Sequence, residues 1–228
     1  MKRLSIIKAG STFASTGRRF GDFEDWIISG LGSLRCPVEV VDAVHGGGLP
    51  EPGDCCGVVV TGSHAMVTDN LPWSLGIERW IPGLVDAGVP FLGICYGHQL
   101  LGRAAGGVVG YHPLGTESGT VCIRLADDAR QDRLFDGIPG TFAAHATHAQ
   151  SVLDLPPGAV RLAGNAFEPN HAFRVGRCAW GVQFHPEYST EVMAAYLEQD
   201  ALAGVSAGEA PWAGRVLTNF ATIACRES

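Results

Sequence analysis

Residues 90–105 read Pro-Phe-Leu-Gly-Ile-Cys-Tyr-Gly-His-Gln-Leu-Leu-Gly-Arg-Ala-Ala. Pro90 to Ile94 is a short, continuously apolar run, the pattern of a strand buried on both faces. It passes without a connecting loop into a stretch, Gly97 to Ala105, that suits a helix. A strand feeding directly into a helix is the repeating unit of a parallel α/β sheet. The flanking sequence repeats that unit. Leu4 to Lys8 reads as a first strand. Phe23, Trp26, Ile27 and Leu31 recur at helical spacing behind Asp22, a good capping residue. Val38 to Val41 and Gly57 to Thr61 read as further strands, and Trp73 to Val85 as a helix that Pro82 is expected to break or kink. The second half is richer in strand signals, at 120–125, 141–144, 161–163, 172–175 and 179–184. Two helices, Thr190 to Leu202 and Trp212 to Ile223, are expected to close the chain. No repeat or linker interrupts it, and the turn at Pro156-Pro157-Gly158 is too small to separate domains. The expectation is one α/β domain over 1–228, an open, mostly parallel sheet with helices on both faces.

Composition narrows the function. Of 228 residues, 46% are hydrophobic and 17% charged, and the mean hydropathy is +0.14, enough apolar material for a sizeable core. A net charge of −7 argues against a broad phosphate-binding surface, so no nucleic-acid partner is expected. The amino terminus has too short an apolar run for a signal peptide, which needs roughly 7–15 such residues. No run approaches the ~18 residues that span a bilayer. A cytoplasmic protein with no membrane contact is the expectation. The seven cysteines are odd in number and scattered, with no CxxC pair, so neither a zinc site nor a disulfide framework is indicated. Six of them read as small apolar filler. No metal and no cofactor are expected.

The seventh is Cys95, with glycines at 93 and 97 on either side. A sharp strand-to-helix turn needs small neighbours when it holds a nucleophile in a strained backbone. It also sets the sulfur at a helix amino terminus, where the dipole and free N–H groups favour thiolate. A buried cysteine with glycines for close packing fits this segment almost as well. Gly181-Val182-Gln183-Phe184-His185-Pro186-Glu187 decides between them. A cysteine nucleophile needs a base, and the base needs an orienting group. His185, just past a strand, supplies the first, and Glu187, two residues on, the second.

With these residues in hand, the sequence resembles the class I glutamine amidotransferases, and among them the glutaminase domain of GMP synthase and its stand-alone relatives. Gly93–Leu101 and Gly181–Glu187 match that family's two most specific motifs in order, and the resemblance runs from Leu4 to about Leu202. It implies a flavodoxin-like fold and a triad of Cys95, His185 and Glu187. The cysteine would attack the side-chain amide of glutamine and form a γ-glutamyl thioester, releasing ammonia and then glutamate. Val60-Thr61-Gly62-Ser63-His64 resembles the family's oxyanion loop, so the N–H groups of Tyr96 and of Gly62 or Ser63 are the implied donors. Ser63 stands where the family has a second glycine. The resemblance also implies substrate binding by Gln99, Thr147 and His148, with Glu117 in support. Gln150 replaces the family's aspartate in that segment. His98 and His145 read as local structure.

The family delivers ammonia to a synthase, and no GxxxxGK[ST] phosphate loop occurs here. A separate synthase or other ammonia-accepting subunit is therefore an expected partner. The alternatives are hydrolysis of γ-glutamyl peptides by the same triad, so that the small-molecule substrate is glutamine or a γ-glutamyl compound, and a non-catalytic regulatory module.

Overall fold

The computed structural model describes residues 1–199, 205 and 207–226. The first half of the chain forms β1 (Arg3–Lys8), α1 (Ala14–Phe20), α2 (Phe23–Leu31), β2 (Val38–Asp42), β3 (Cys55–Val60), α3 (Pro72–Asp86), β4 (Phe91–Ile94) and α4 (Tyr96–Ala104). The second half forms β5 (Val108–Tyr111), β6 (Glu117–Leu125), β7 (Thr141–His148), β8 (Gln150–Asp154) and β9 (Val160–Gly164). It is completed by β10 (Ala172–Val175), β11 (Ala179–Val182), α5 (Thr190–Gln199) and α6 (Arg215–Arg226). The main sheet has the order β2-β1-β3-β4-β11-β10-β9-β6-β7. From β2 to β11 every pair is parallel. From β11 to β7 every pair is antiparallel. β5 and β8 make a separate antiparallel ribbon.

β3 and β4 are buried at every position, as strands covered on both faces must be. Their side chains alternate between two cores. Val59, Leu92 and Ile94 pack with Ile27 of α2 and Leu217 and Phe220 of α6. Val58, Val60 and Phe91 face the other way, against Ile77 and Ile81 of α3 and Leu100 and Leu101 of α4. Each such side chain contributes about 1.5–3 kcal/mol by leaving water. The α/β class and the helices on both faces are thus as the sequence reads. Asp22 caps α2 through its own carboxylate, and Asp25 bonds back to the Asp22 N–H at 2.9 Å.

Several boundaries differ from the sequence reading. Pro82 does not break α3, which runs on to Asp86. The proline removes one N–H near the helix end, while Ile77, Ile81 and Leu84 keep a common face buried. α1 and the β5–β8 ribbon were not expected. β11 stops at Val182, and His185 continues only as an isolated bridge to His145. The last helix begins at Arg215 rather than Trp212. Of the helix expected over 190–202, residues 200–202 lie outside the described residues. Cys122 is exposed, so the filler reading fails there.

Two buried histidines set how stability depends on pH. Burial pushes His98 down to about 3. Burial, and then the charge of His185, pushes His145 down to about 4. An unfolded chain takes up protons at these side chains near pH ~6.5, and the folded chain does not until far lower. Acid therefore favours the unfolded state below about pH 6.5, with His98 alone giving a slope of about 1.4 kcal/mol per pH unit. Urea midpoints are expected to fall steadily from about pH 6, where His185 is protonated in both states, to pH 4.5. A flat profile over that range would contradict the assignment of neutral, buried imidazoles.

Candidate active site

Cys95 sits at the junction of β4 and α4 with φ 48° and ψ −93°. Among the described non-glycine residues only it and Asn70 have positive φ. Such a conformation costs of order 1–3 kcal/mol and persists only where the surroundings enforce it. The glycines on either side are not themselves left-handed; they permit close packing. A Cβ on Gly93 would overlap the carbonyl of Gly97, and one on Gly97 would lie 2.5 Å from the carbonyl oxygen of Val60. The first turn of α4 is thereby seated directly on β3. Gly97→Ala is expected to destabilise the fold by about 3 kcal/mol, because the atoms that must yield belong to a buried strand. Gly76→Ala, with nothing within 4 Å of the added carbon, is the control and is expected to be neutral or stabilising. Equal effects of the two on the urea midpoint would contradict the packing argument.

β11 is the sheet neighbour of β4, and this brings the segment that carries His185 beside Cys95. The N–H of Cys95 donates to Val182 O at 2.8 Å, three residues before His185. The N–H of His185 donates in turn to His145 O at 2.8 Å. The His185 ring is buried, with Nδ1 2.8 Å from Glu187 Oε1. A carboxylate accepts, so Nδ1 carries a proton, while Nε2 is buried with no hydrogen-bond partner among the described residues. Burial lowers the basicity of His185, and the charges of Glu187 and Cys95 outweigh it, raising its pKa to about 10. Tyr188 stacks on the ring with centroids 4.0 Å apart. The arrangement favours imidazolium beside the sulfur.

A cavity of about 280 Å³ opens over these groups, near the roughly 300 Å³ lower bound of small-molecule sites. Cys95, His185, Ser63, Tyr96, Gln99, Thr147 and His148 all line it. Gly62 lies behind His185, where a Cβ would come 3.1 Å from Cε1. Ser63 Oγ accepts from Ala65 N at 3.1 Å, which holds the loop in a turn. Tyr96 opens α4, so its N–H has no partner within the helix.

The remaining predicted residues form a braced polar end. Gln99 Nε2 donates to Gln150 O at 2.7 Å and to Gln183 Oε1 at 3.1 Å. Gln183 Nε2 donates to Cys95 Sγ at 3.4 Å. Gln150, at the position of the family aspartate, donates to Thr68 Oγ1 at 2.6 Å and so ties the turn at Val67–Asp69 to β8. His148 bridges Gln150 O and Glu117 Oε2, each at 3.1 Å. Glu117 also contacts His171 Nε2 at 3.0 Å and accepts from Asn165 at 2.8 Å. Burial would raise its pKa, yet these contacts hold its carboxyl well below the usual range. Glu117, His148 and His171 lie within 4.8 Å of one another and have the chemistry to hold a metal ion, though bonds to the carboxylate account for the same contacts. Sequence reasoning missed Gln183, His171 and the aromatic residues Phe13, His64, Tyr188 and Tyr196. Gln183 and Tyr188 had a local signal from their place in or beside the HPE motif, and His64 from its place at the end of the segment 60–64.

Residues 20–203 match the family model described as glutamine amidotransferase class-I. The glutamine-hydrolyzing GMP synthase of Aeropyrum pernix is 34% identical over 72% of this chain and 30% of its own. Gamma-glutamyl peptidase 3 of Arabidopsis thaliana is 30% identical over 84% of this chain and 79% of its own. The chain spans less than a third of the length of the full GMP synthases it matches. In fold it is similar to a glutamine amido transferase from Methylobacillus flagellatus, with a TM-score of 0.76, 22% identity and coverage of 98% and 95% of the two chains. No helix among the described residues is long and apolar enough to cross a membrane.

Proposed function

The chain belongs to the class I glutamine amidotransferase family, and on that premise we propose that it hydrolyses the γ-amide of glutamine or of a γ-glutamyl compound through Cys95. The observation that carries the proposal is a cysteine held at φ 48° beside a histidine whose Nδ1 is 2.8 Å from a buried carboxylate. Thiolate attack forms the S–C bond and leaves negative charge on the carbonyl oxygen. The N–H of Tyr96 and one from Gly62 or Ser63 receive that charge, each donor being worth about 3–4 kcal/mol in the transition state. The His185 imidazolium then protonates the departing nitrogen, the C–N bond breaks, and a γ-glutamyl thioester remains. Water, deprotonated by His185 Nε2, then attacks the thioester, the S–C bond breaks, and glutamate leaves with thiolate and imidazolium restored. Glu187 keeps the imidazole in one tautomer throughout. Thr147, His148 and Gln99 shape the end that receives the glutamyl α-groups. Where glutamine is the substrate, the likeness to the glutaminase part of GMP synthases favours an ammonia-accepting partner chain; the cytoplasm is the proposed setting.

The test joins turnover to labelling. Glutamate release is measured with L-glutamine and with γ-glutamyl dipeptides, and the cysteine that reacts with a glutamine-analogue electrophile is mapped by peptide mass. Glutamate from at least one substrate, with Cys95 labelled ahead of the other six cysteines, is the expected result. Glutamate from neither, with label spread over the cysteines, would overturn the proposal.

A further inference from the structure

The wall of the cavity beyond His185 is aromatic, and we infer from it that the amine expelled carries an aromatic or bulky apolar substituent, so that ammonia is the lesser leaving group. The inference rests on the γ-amide chemistry proposed for Cys95 and adds which amide is preferred.

The two ends of the cavity differ in kind. Gln99, His148 and Gln150 make one end polar. At the other, Tyr188 stacks on His185, and Tyr196 lies 5.1 Å from Tyr188. Phe13, just before α1, has its ring 4.3 Å from His64 and 5.1 Å from Tyr196. The polar atoms of this end are engaged with one another. Tyr196 Oη is 2.8 Å from Thr12 Oγ1 and 3.1 Å from His64 Nε2. What the wall offers a ligand is therefore ring surface rather than hydrogen bonds.

The position of the acid fixes which part of the substrate meets that surface. His185 must hand its proton to the departing nitrogen, so that nitrogen lies beside His185 and its substituent extends along the adjoining wall. Ammonia has no substituent and gains nothing there. Among the described residues lining the cavity none is Asp, Glu, Lys or Arg. The carboxylate of a peptide leaving group finds no Lys or Arg there, and the one cation, the His185 imidazolium, is already matched by the charges of Glu187 and Cys95, whereas a neutral aromatic amine needs no counter-charge. The balance is unchanged from the proposed hydrolysis: the S–C bond forms, the C–N bond breaks, and the free amine leaves with the proton of His185.

The experiment compares kcat/KM for L-glutamine, γ-glutamyl-glycine and γ-glutamyl-benzylamide, in the wild type and in Phe13→Ala and His64→Ala. Phe13 is half-buried and His64 exposed, so both variants are expected to fold. The ratio of two substrates within one variant also cancels any loss of active protein. The wild type is expected to favour the benzylamide over glutamine by about 10- to 100-fold, and the ratio to shrink several-fold in each variant. Glutamine or γ-glutamyl-glycine turned over as well as the benzylamide overturns the inference while leaving the γ-amide chemistry standing. A wild-type preference that survives in both variants overturns the assignment to this wall. Release of glutamate from none of the three overturns both this inference and the proposal beneath it.

Discussion

Cys95→Ser is expected to lower glutamate release by about 10⁴-fold or more while leaving the urea midpoint close to that of the wild type. The substitution exchanges sulfur for oxygen in the same strained turn, so the seating of α4 on β3 through Gly93 and Gly97 is undisturbed. The chemistry changes because a hydroxyl is a far poorer nucleophile than the thiolate that an imidazolium neighbour stabilises. Matched denaturation curves with activity lost would locate the reaction at Sγ. Activity within tenfold of the wild type would mean that another group attacks.

Glu187→Gln is expected to cost roughly 10³–10⁴-fold in kcat. The amide keeps the shape of the side chain but can present its NH₂ to His185 Nδ1, which then loses its defined proton position. The charge matters as much as the bond. Against the lowering effect of burial, Glu187 leads the interactions that raise His185 to about 10. The sign follows directly. His185 is protonated over the whole neutral range in the wild type, and its contribution to stability is present below about pH 6.5 and lost only as pH rises through about 10. Without the carboxylate the pKa falls, so the alkaline limb of the kcat/KM profile is expected to move to lower pH. A variant with reduced kcat but an unmoved alkaline limb would show that Glu187 acts through packing alone.

The parts legible in sequence were those where local chemistry and fold coincide. The run from Phe91 to Gly97 states both a buried strand and the close approach of a helix, because each glycine removes a Cβ that β3 or α4 could not accommodate. Gly181 to Glu187 states the end of a strand and a histidine followed by the carboxylate that contacts its ring. The β5–β8 ribbon was not legible. Val108 to Tyr111 is half-exposed to exposed and interrupted by Gly110, so it lacks the apolar regularity of β3. Pro82 misled because a proline is read as a helix breaker wherever it falls, while here a shared buried face outweighs one lost hydrogen bond. The polar brace and the aromatic wall were beyond local reading for another reason. Glu117 meets His148 and His171, and Phe13 meets His64 and Tyr196, only after the sheet has brought distant segments together. Phe13 precedes a helix of seven residues whose apolar periodicity is too weak to mark it.

Gln150 shows how a departure from the family pattern can be put to structural use. Its amide clasps Thr68 rather than presenting a carboxylate to the cavity. Under the proposed function the polar end would meet the glutamyl group through dipoles, leaving the aromatic end and the geometry at Cys95 as the stronger determinants of what is cleaved.

The central claim is a γ-glutamyl thioester on Cys95, and rapid acid quench followed by peptide mapping tests it most directly. The wild type, mixed with a turned-over γ-glutamyl amide and quenched in the first turnovers, is predicted to carry one γ-glutamyl group on the peptide containing Cys95. The adduct is predicted to disappear on treatment with hydroxylamine, as a thioester does. Steady glutamate release with no adduct on that peptide, or with the adduct on another residue, would contradict the account.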